Sequence, residues 1–179
     1  MSPTVRRGVF PGSFDPLTVA HVAVADAAVG SLGLQQLTLS VSHDALGKPH
    51  LGDSVTARAA ALRTAVDGRP GWEVAVTTAR LLADVAEGYD AVVVGADKLA
   101  QVLDPAWYGD GVGTAHRDAA LRRLPTVAVS PRAGQHLEAL VDRAGRLGLD
   151  VVVLEVAPHL HEVSATAVRA GRHEWRAAG

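Results

Sequence analysis

Three residues that could bind phosphate follow an apolar, strand-like segment near the start of this 179-residue chain. Gly12 opens a loop, and Thr18 and His21 lie three residues apart where a helical run begins. A glycine lets backbone N–H groups approach an anion, and a helix N-terminus adds unpaired donors and a positive dipole end. The spacing places Thr18 and His21 together on the first helical turn. The loop is therefore a candidate phosphate site. The alternative is a plain strand-to-helix connection with a capping threonine and a solvated histidine.

Three further polar clusters lie at or near the ends of apolar segments. They are Ser42–Lys48, Gly95–Asp97 and Ser164–Arg169. In open sheets of parallel strands, ligands bind beyond the carboxyl ends of the strands. The four clusters together therefore predict one composite site at a single edge of a sheet.

The elements that must position these clusters alternate along the chain. Alternating or continuous apolar runs predict strands at Val5–Phe10, Gln36–Ser42, Trp72–Val76, Tyr89–Val94, Thr126–Ser130 and Asp150–Val156. Helical patterns lie from Val19 to a stop at Gly30 or Gly33, from Asp53 or Ser54 to Val66, and at Thr78–Glu87, Lys98–Leu103, His116–Arg123, Gln135–Leu147 and around Val168–Arg169. Strands alternating with helices predict an α/β fold, a Rossmann-like doubly wound parallel sheet, with residues 1–179 as a single domain.

Composition narrows the class of protein. Hydrophobic residues make up 48% and charged residues 20%, which is an ordinary globular balance. A formal net charge of −2 argues against a nucleic-acid coat or a polybasic membrane anchor. The absence of cysteine excludes disulfides and thiolate metal sites. No apolar run has the length of a membrane span, and Met1–Thr4 lacks a signal-peptide core. We therefore expect a cytoplasmic protein with no nucleic-acid or membrane partner, while assembly into a homo-oligomer stays open.

Two of the clusters, in this order, resemble the motifs of the nucleotidyltransferase superfamily. The segment Gly12–His21 is similar to its first motif, (H/T)-x-G-H preceded by G-x-F-D-P, with Ala20 in place of the glycine. The segment Val163–Arg169 is similar to its second motif, I-S-S-T-x-x-R, with Ala165 in place of a serine. These two departures keep a non-catalytic nucleotide-binding protein as an alternative.

Within that superfamily, the middle of the chain is most similar to the mononucleotide adenylyltransferases that make NAD or its deamido form. The resemblance rests on G-A-D-K-L at Gly95–Leu99 and on Trp107-Tyr108 downstream. It implies transfer of AMP from ATP to nicotinate or nicotinamide mononucleotide, with release of pyrophosphate. Because no residue in the motifs reads the base directly, a cytidylyltransferase that uses CTP and another small phosphate or phosphonate acceptor is the alternative.

The resemblance also implies a role for individual residues. The implied catalytic residues are His21, Thr18, Lys48 and Arg169; the implied nucleotide-binding residues are Gly12, Ser13, Phe14, Gly95, Asp97, Ser164 and Thr166; the implied acceptor-binding residues are Thr78 and Trp107. The nucleophile is the acceptor's own phosphate, so no catalytic serine or cysteine is required. Mg²⁺ is expected to bind mainly through substrate phosphates and water, with no protein metal site, since no carboxylate cluster suggests one.

Three of these assignments have simple structural alternatives. Lys48 could be solvated in its loop, Asp97 could cap the following helix and Trp107 could pack at the sheet edge. The glycine-rich segment Gly109–Gly113 is predicted to be a mobile lid over the acceptor; its alternative is a packed, static loop.

Overall fold

The sheet of the computed structural model, which describes residues 5–43, 54–109 and 112–178, is parallel throughout. Its six strands have the order β3-β2-β1-β4-β5-β6. The strands are β1 (Arg7–Gly12), β2 (Gln36–Ser42), β3 (Trp72–Thr77), β4 (Ala91–Gly95), β5 (Thr126–Ser130) and β6 (Val151–Val153). The predicted α/β, doubly wound parallel sheet is confirmed.

Seven α-helices occur among the described residues. They are α1 (Val19–Leu32), α2 (Val55–Val66), α3 (Leu82–Val85), α4 (Ala96–Leu103), α5 (Gly113–Leu121), α6 (Leu137–Arg146) and α7 (Ala165–Arg169). Short 3-10 helices lie at Pro105–Tyr108, Pro158–Leu160 and His173–Trp175. No helix in the described part of the chain is long and apolar enough to span a membrane.

The two faces of the sheet are covered by different helices. Ala91 and Val93 of β4 belong to the hydrophobic cluster that contains α1 and α2, whereas Val92 and Val94 belong to the cluster that contains α4, α5 and α6. All four side chains are at most 2% exposed. A strand that is buried on both faces needs apolar residues at every position, which explains the continuous apolar run of β4.

Helix α1 begins and ends at residues that satisfy its terminal backbone groups. Thr18 is the N-cap, and Gly33 follows the helix in the left-handed conformation with φ 59°. The Gly33 N–H donates to the Val29 carbonyl, which closes the last turn. The helix thus ends at Gly33, the second of the two predicted stops, and starts directly after Thr18 of the predicted phosphate loop.

Two predicted elements are shorter in the structure. The helix expected at Thr78–Glu87 is wrong over its first residues, because the Thr77 side chain accepts a hydrogen bond from Ala79 N (3.0 Å) and turns the chain before α3. The strand expected at Asp150–Val156 ends at Val153, since its partner β5 ends at Ser130 and the next residue is a proline without an N–H group.

Candidate active site

A cleft of about 510 Å³ lies at the carboxyl ends of the strands, and it includes the ends of β1 and β4. The strand order reverses between these two strands, which is where doubly wound sheets bind their ligands. The volume falls within the range of about 300–1,000 Å³ that is usual for small-molecule sites. The predicted site residues that line the cleft are Gly12, Ser13, Thr18, His21, Gly95, Asp97, Trp107, Ser164 and Thr166.

The other predicted site residues do not line the cleft or cannot be placed. Phe14 is buried below the loop, Thr78 is exposed on the segment after β3, and Arg169 lies behind the cleft wall that Thr166 forms. Lys48 lies outside the described residues. So does the centre of the predicted lid, residues 110–111, whereas Gly113 already begins α5.

His21 is held by the loop that precedes its own helix. Its Nδ1 accepts a hydrogen bond from Thr18 N (3.0 Å) and lies 2.9 Å from Thr18 Oγ1, while His21 N donates to the same hydroxyl oxygen (3.3 Å). This reciprocal arrangement is a capping box. Because Nδ1 accepts from a backbone N–H, the neutral imidazole carries its proton on Nε2. The capping box thus makes Nε2 the donor nitrogen of a ring that lines the cleft.

Aromatic packing below the loop fixes the same imidazole. The centroid of the Phe14 ring lies 5.2 Å from that of His21 and 5.5 Å from that of Phe10, both with edge-to-face geometry. A Cβ atom at Gly12 would lie 2.9 Å from the Phe14 ring, so the ring occupies space that only glycine leaves open. Phe14 therefore supports the site by packing and does not line the cleft, and its contact with the nucleotide stays a prediction.

Arg169 holds the same loop from the opposite side. Its guanidinium donates to the Asp15 carbonyl and lies 3.7 Å from the buried Asp15 carboxylate. A second guanidinium nitrogen donates to Thr166 Oγ1 (3.2 Å). A hydroxyl that accepts one hydrogen bond still donates its own hydrogen. Arg169 thus ties α7 to the loop and orients Thr166, which lines the cleft.

Ser164 caps α7 at the cleft wall. Its Oγ accepts from Ala167 N (3.1 Å), which leaves the hydroxyl hydrogen to donate elsewhere. The preceding residue is anchored as well, because Arg132 Nη1 donates to the Val163 carbonyl (2.7 Å). Arg132 lines the cleft and directly follows β5 and Pro131. Because ligands bind beyond the carboxyl ends of parallel strands, the position of Arg132 after β5 is a signal that the sequence offered.

Asp97 lies in the first turn of α4, and the N-cap position belongs to Gly95. A Cβ atom at Gly95 would lie 2.6 Å from Asp97 Oδ1, so the carboxylate rests over the glycine backbone. Position 95 therefore requires glycine, because a side chain there would displace the Asp97 carboxylate.

Part of the cleft lining is largely apolar, and we call this part the apolar wall. Leu81, Leu82 and Trp107 lie on it, and half of the Trp107 surface is exposed. Tyr108 shares the wall and donates its hydroxyl hydrogen to the Val102 carbonyl (3.0 Å). Burial raises the pKa of the Tyr108 phenol above its ordinary value of 10.0, while the nearby positive charge of Arg117 opposes the shift. The phenol therefore stays neutral at physiological pH. The half-exposed Trp107 ring gives the cleft lining an aromatic surface.

Two polar residues that line the cleft were not predicted. Lys98 Nζ donates to Gln101 Oε1 (2.5 Å), and the two residues lie one turn apart on α4. Lys98 directly follows Asp97, which is a signal that the sequence offered. The described residues contain no group of three or more histidine, aspartate or glutamate side chains placed to hold a metal ion.

The parallel sheet, the capped phosphate loop and the cleft at the strand reversal define a nucleotide-binding α/β protein. The sequence profile of the cytidylyltransferase-like family matches residues 9–171. The chain is similar to a probable nicotinate-nucleotide adenylyltransferase from Gloeobacter violaceus, with 31% identity over 96% of this chain and 88% of the relative. It is also similar to one from Laribacter hongkongensis, with 30% identity over 94% of this chain and 84% of the relative. The chain therefore belongs to the cytidylyltransferase-like family and is a nucleotidyltransferase, as the motifs predicted.

A solved structure with the same fold is the Plasmodium falciparum nicotinic acid mononucleotide adenylyltransferase complexed with NaAD. It aligns with a TM-score of 0.66 over 92% of this chain and 82% of that chain, at 10% identity. The complex of the same enzyme with APC aligns with a TM-score of 0.65, at 11% identity. At such low identity the likeness concerns the fold.

Proposed function

We propose that this protein transfers the adenylyl group of ATP to nicotinate mononucleotide, or to nicotinamide mononucleotide, and releases pyrophosphate. The observation that carries the proposal is that one cleft is lined by two unlike sets of groups. Hydroxyl, imidazole and backbone donors line it, and so does the half-exposed ring of Trp107. The names of the similar proteins, probable nicotinate-nucleotide adenylyltransferases, agree with a phosphate-bearing acceptor that also carries a flat ring.

The reaction needs no nucleophile from the protein. An oxygen of the acceptor phosphate attacks the α-phosphorus of ATP, the bond from that phosphorus to the bridging oxygen breaks, and pyrophosphate leaves with the electron pair. Catalysis then consists of aligning two anions and stabilising the charge that develops on the phosphoryl oxygens. The Nε2–H of His21 is the proposed donor to those oxygens, and the capping box keeps it in the donor tautomer.

The remaining donors bind the nucleotide phosphates. Ser164 and Thr166 supply hydroxyl hydrogens to the β- and γ-phosphates, and Gly12 and Ser13 supply backbone groups. Arg169 acts through its bonds to the loop and to Thr166. Lys48, which lies outside the described residues, keeps its proposed role as a further positive charge.

Other cleft residues are assigned to the sugar and the acceptor. Asp97 accepts a hydrogen bond from a ribose hydroxyl, and Trp107 stacks on the acceptor's ring. Thr78 stays a prediction, since Ala79 and Arg80, rather than Thr78, line the cleft. Lys98 and Gln101 add an ammonium and an amide to the cleft lining, which suits an anionic acceptor.

Magnesium enters with the nucleotide in this proposal. Mg²⁺ prefers oxygen ligands, keeps several waters, and is commonly held by substrate phosphates together with one or two carboxylates. Asp97 is the carboxylate among the described cleft residues that could contribute an oxygen. The ion would neutralise charge on the triphosphate and assist the departure of pyrophosphate.

The experiment is a competition between ATP and CTP with nicotinate mononucleotide as acceptor, followed by pyrophosphate release. We expect release with ATP and Mg²⁺, and a dinucleotide product. A panel of other small phosphates and phosphonates is assayed in parallel. Efficient use of CTP, or indifference to millimolar nicotinate mononucleotide, would refute the proposed substrates. Absence of pyrophosphate release from every combination would favour a protein that only binds nucleotides.

A further inference from the structure

A buried arginine lies beneath the two loops that open the cleft. Arg58 of α2 is only 3% exposed, although arginine is almost never buried unless it is paired. Its Nη1 donates to the Ser13 carbonyl (2.7 Å) and its Nη2 donates to the Ser42 carbonyl (3.1 Å). Ser13 and Ser42 line the cleft, whereas Arg58 does not. The guanidinium therefore contacts the backbone of two cleft residues without lining the cleft itself.

The two carbonyls belong to neighbouring strand ends. The ladder between β1 and β2 ends at the pair Gly12 and Val41. Ser13 directly follows Gly12, and Ser42 directly follows Val41. Here β1 turns into the phosphate loop, so the ladder does not continue. The planar fork of one guanidinium takes both carbonyls at once, which a lysine ammonium does with less geometric precision.

The backbone that Arg58 holds is strained. Phe14 has φ 46°, in the left-handed region that non-glycine residues rarely adopt. Such a conformation persists only where the surrounding structure enforces it. Arg58 binds the carbonyl before Phe14, and Arg169 binds the Asp15 carbonyl after it. In a trans peptide the carbonyl and the next N–H point in opposite directions, so Arg58 also directs the Phe14 N–H away from itself.

We propose that Arg58 is a positioning residue for nucleotidyl transfer. It fixes the ends of β1 and β2 relative to each other and holds the phosphate loop in the strained conformation that packs Phe14 against His21. The loop carries the capping box, so a shift of the loop displaces the Nε2–H donor. This proposal rests on the proposed function, because it concerns the same reaction and cleft.

The test compares Arg58→Gln and Arg58→Lys with the wild type in the pyrophosphate assay. A displacement of about 1 Å in an active site costs about 100-fold in rate. We therefore expect Arg58→Gln to lower kcat about 10- to 100-fold, while KM for ATP changes less than about threefold. Arg58→Lys, which keeps the charge but not the fork, should fall between Arg58→Gln and the wild type.

A matched control separates positioning from mere stability. Arg143 of α6 also donates to a backbone carbonyl, that of Leu103 (2.9 Å), but it does not line the cleft. Arg143→Gln should keep kcat within about twofold of the wild type. Thermal melts define a temperature at which every variant is folded, and hydrogen exchange reports the amides of residues 12–18. Faster exchange in that loop, with unchanged exchange in α6, is expected for Arg58→Gln.

The outcomes are distinguishable. If the wild type turns over and folded Arg58→Gln keeps its kcat within twofold, Arg58 is only structural and this proposal is overturned. If Arg58→Gln does not fold, Arg58→Lys decides: a kcat within twofold of the wild type overturns the proposal, and a larger loss in kcat than in KM supports it. A wild type that releases no pyrophosphate refutes the proposed function, and the role of Arg58 with it.

Discussion

Replacing His21 by alanine and by glutamine separates its two roles. The imidazole accepts from Thr18 N at 3.0 Å, as one half of the capping box that starts α1. It also supplies the proposed donor to the phosphates. Alanine removes both functions. Glutamine is a usual residue at this position of a capping box, so it can keep the cap while it removes the imidazole.

The structure sets the expected magnitudes. His21→Ala keeps the Thr18 cap but loses one hydrogen bond of the capping box, which is worth about 0.5–1.5 kcal/mol. In a chain of this length, 1 kcal/mol shifts Tm by about 2–4 °C. His21→Ala should therefore lower Tm by a few degrees, whereas His21→Gln should melt close to the wild type. Loss of a preorganised charge-stabilising donor costs about 10²–10⁴-fold in turnover, which is the loss expected for His21→Ala.

Calorimetry gives the melting temperatures of the wild type, His21→Ala and His21→Gln. Pyrophosphate release is then measured continuously below the lowest of these three temperatures. His21→Gln should remain at least about tenfold slower than the wild type despite its restored cap. A His21→Ala protein that melts early but turns over within threefold of the wild type would refute the reasoning. In that case His21 would be a helix cap and nothing more.

Two further predictions concern Trp107 and Tyr108 of the apolar wall. Trp107→Ala should raise the acceptor's KM about tenfold or more, because stacking on a base is worth about 1–3 kcal/mol; its half-exposed ring packs little, so Tm should hardly move, and an unchanged KM would exclude a stacked ring. For Tyr108, the raised pKa means that the folded protein keeps the phenol proton more tightly than the unfolded chain does. Its contribution to stability is therefore complete below the ordinary value of 10.0 and is lost as pH rises through the folded pKa. Denaturant titrations should show this alkaline loss in the wild type and a smaller one in Tyr108→Phe, and identical alkaline slopes would contradict it.

The class of fold and the order of its elements follow from the amino-acid sequence alone. Strand bounds at β2 and β5 agree with the predicted ranges, and the continuous apolar run of β4 predicted a strand buried on both faces. Both features depend on side-chain patterns along a short stretch of chain. The same holds for the capping position of Thr18 and for the motifs that indicated the family, because a capping box and a short motif are made by residues close in sequence.

Which side chains line the cleft depends on contacts between residues that are distant in sequence. Phe14 and Arg169 belong to the motifs, yet one packs under the loop and the other ties α7 to Asp15. Arg58 belongs to none of the sequence motifs. Its proposed role follows from its position on α2, which places its guanidinium against the ends of two strands. A polar side chain is buried, exposed or hydrogen-bonded according to residues distant in sequence, and packing alone brings those residues together. The local sequence patterns therefore predicted where the cleft lies. Long-range packing determines which of the surrounding side chains line the cleft and which support it from the core.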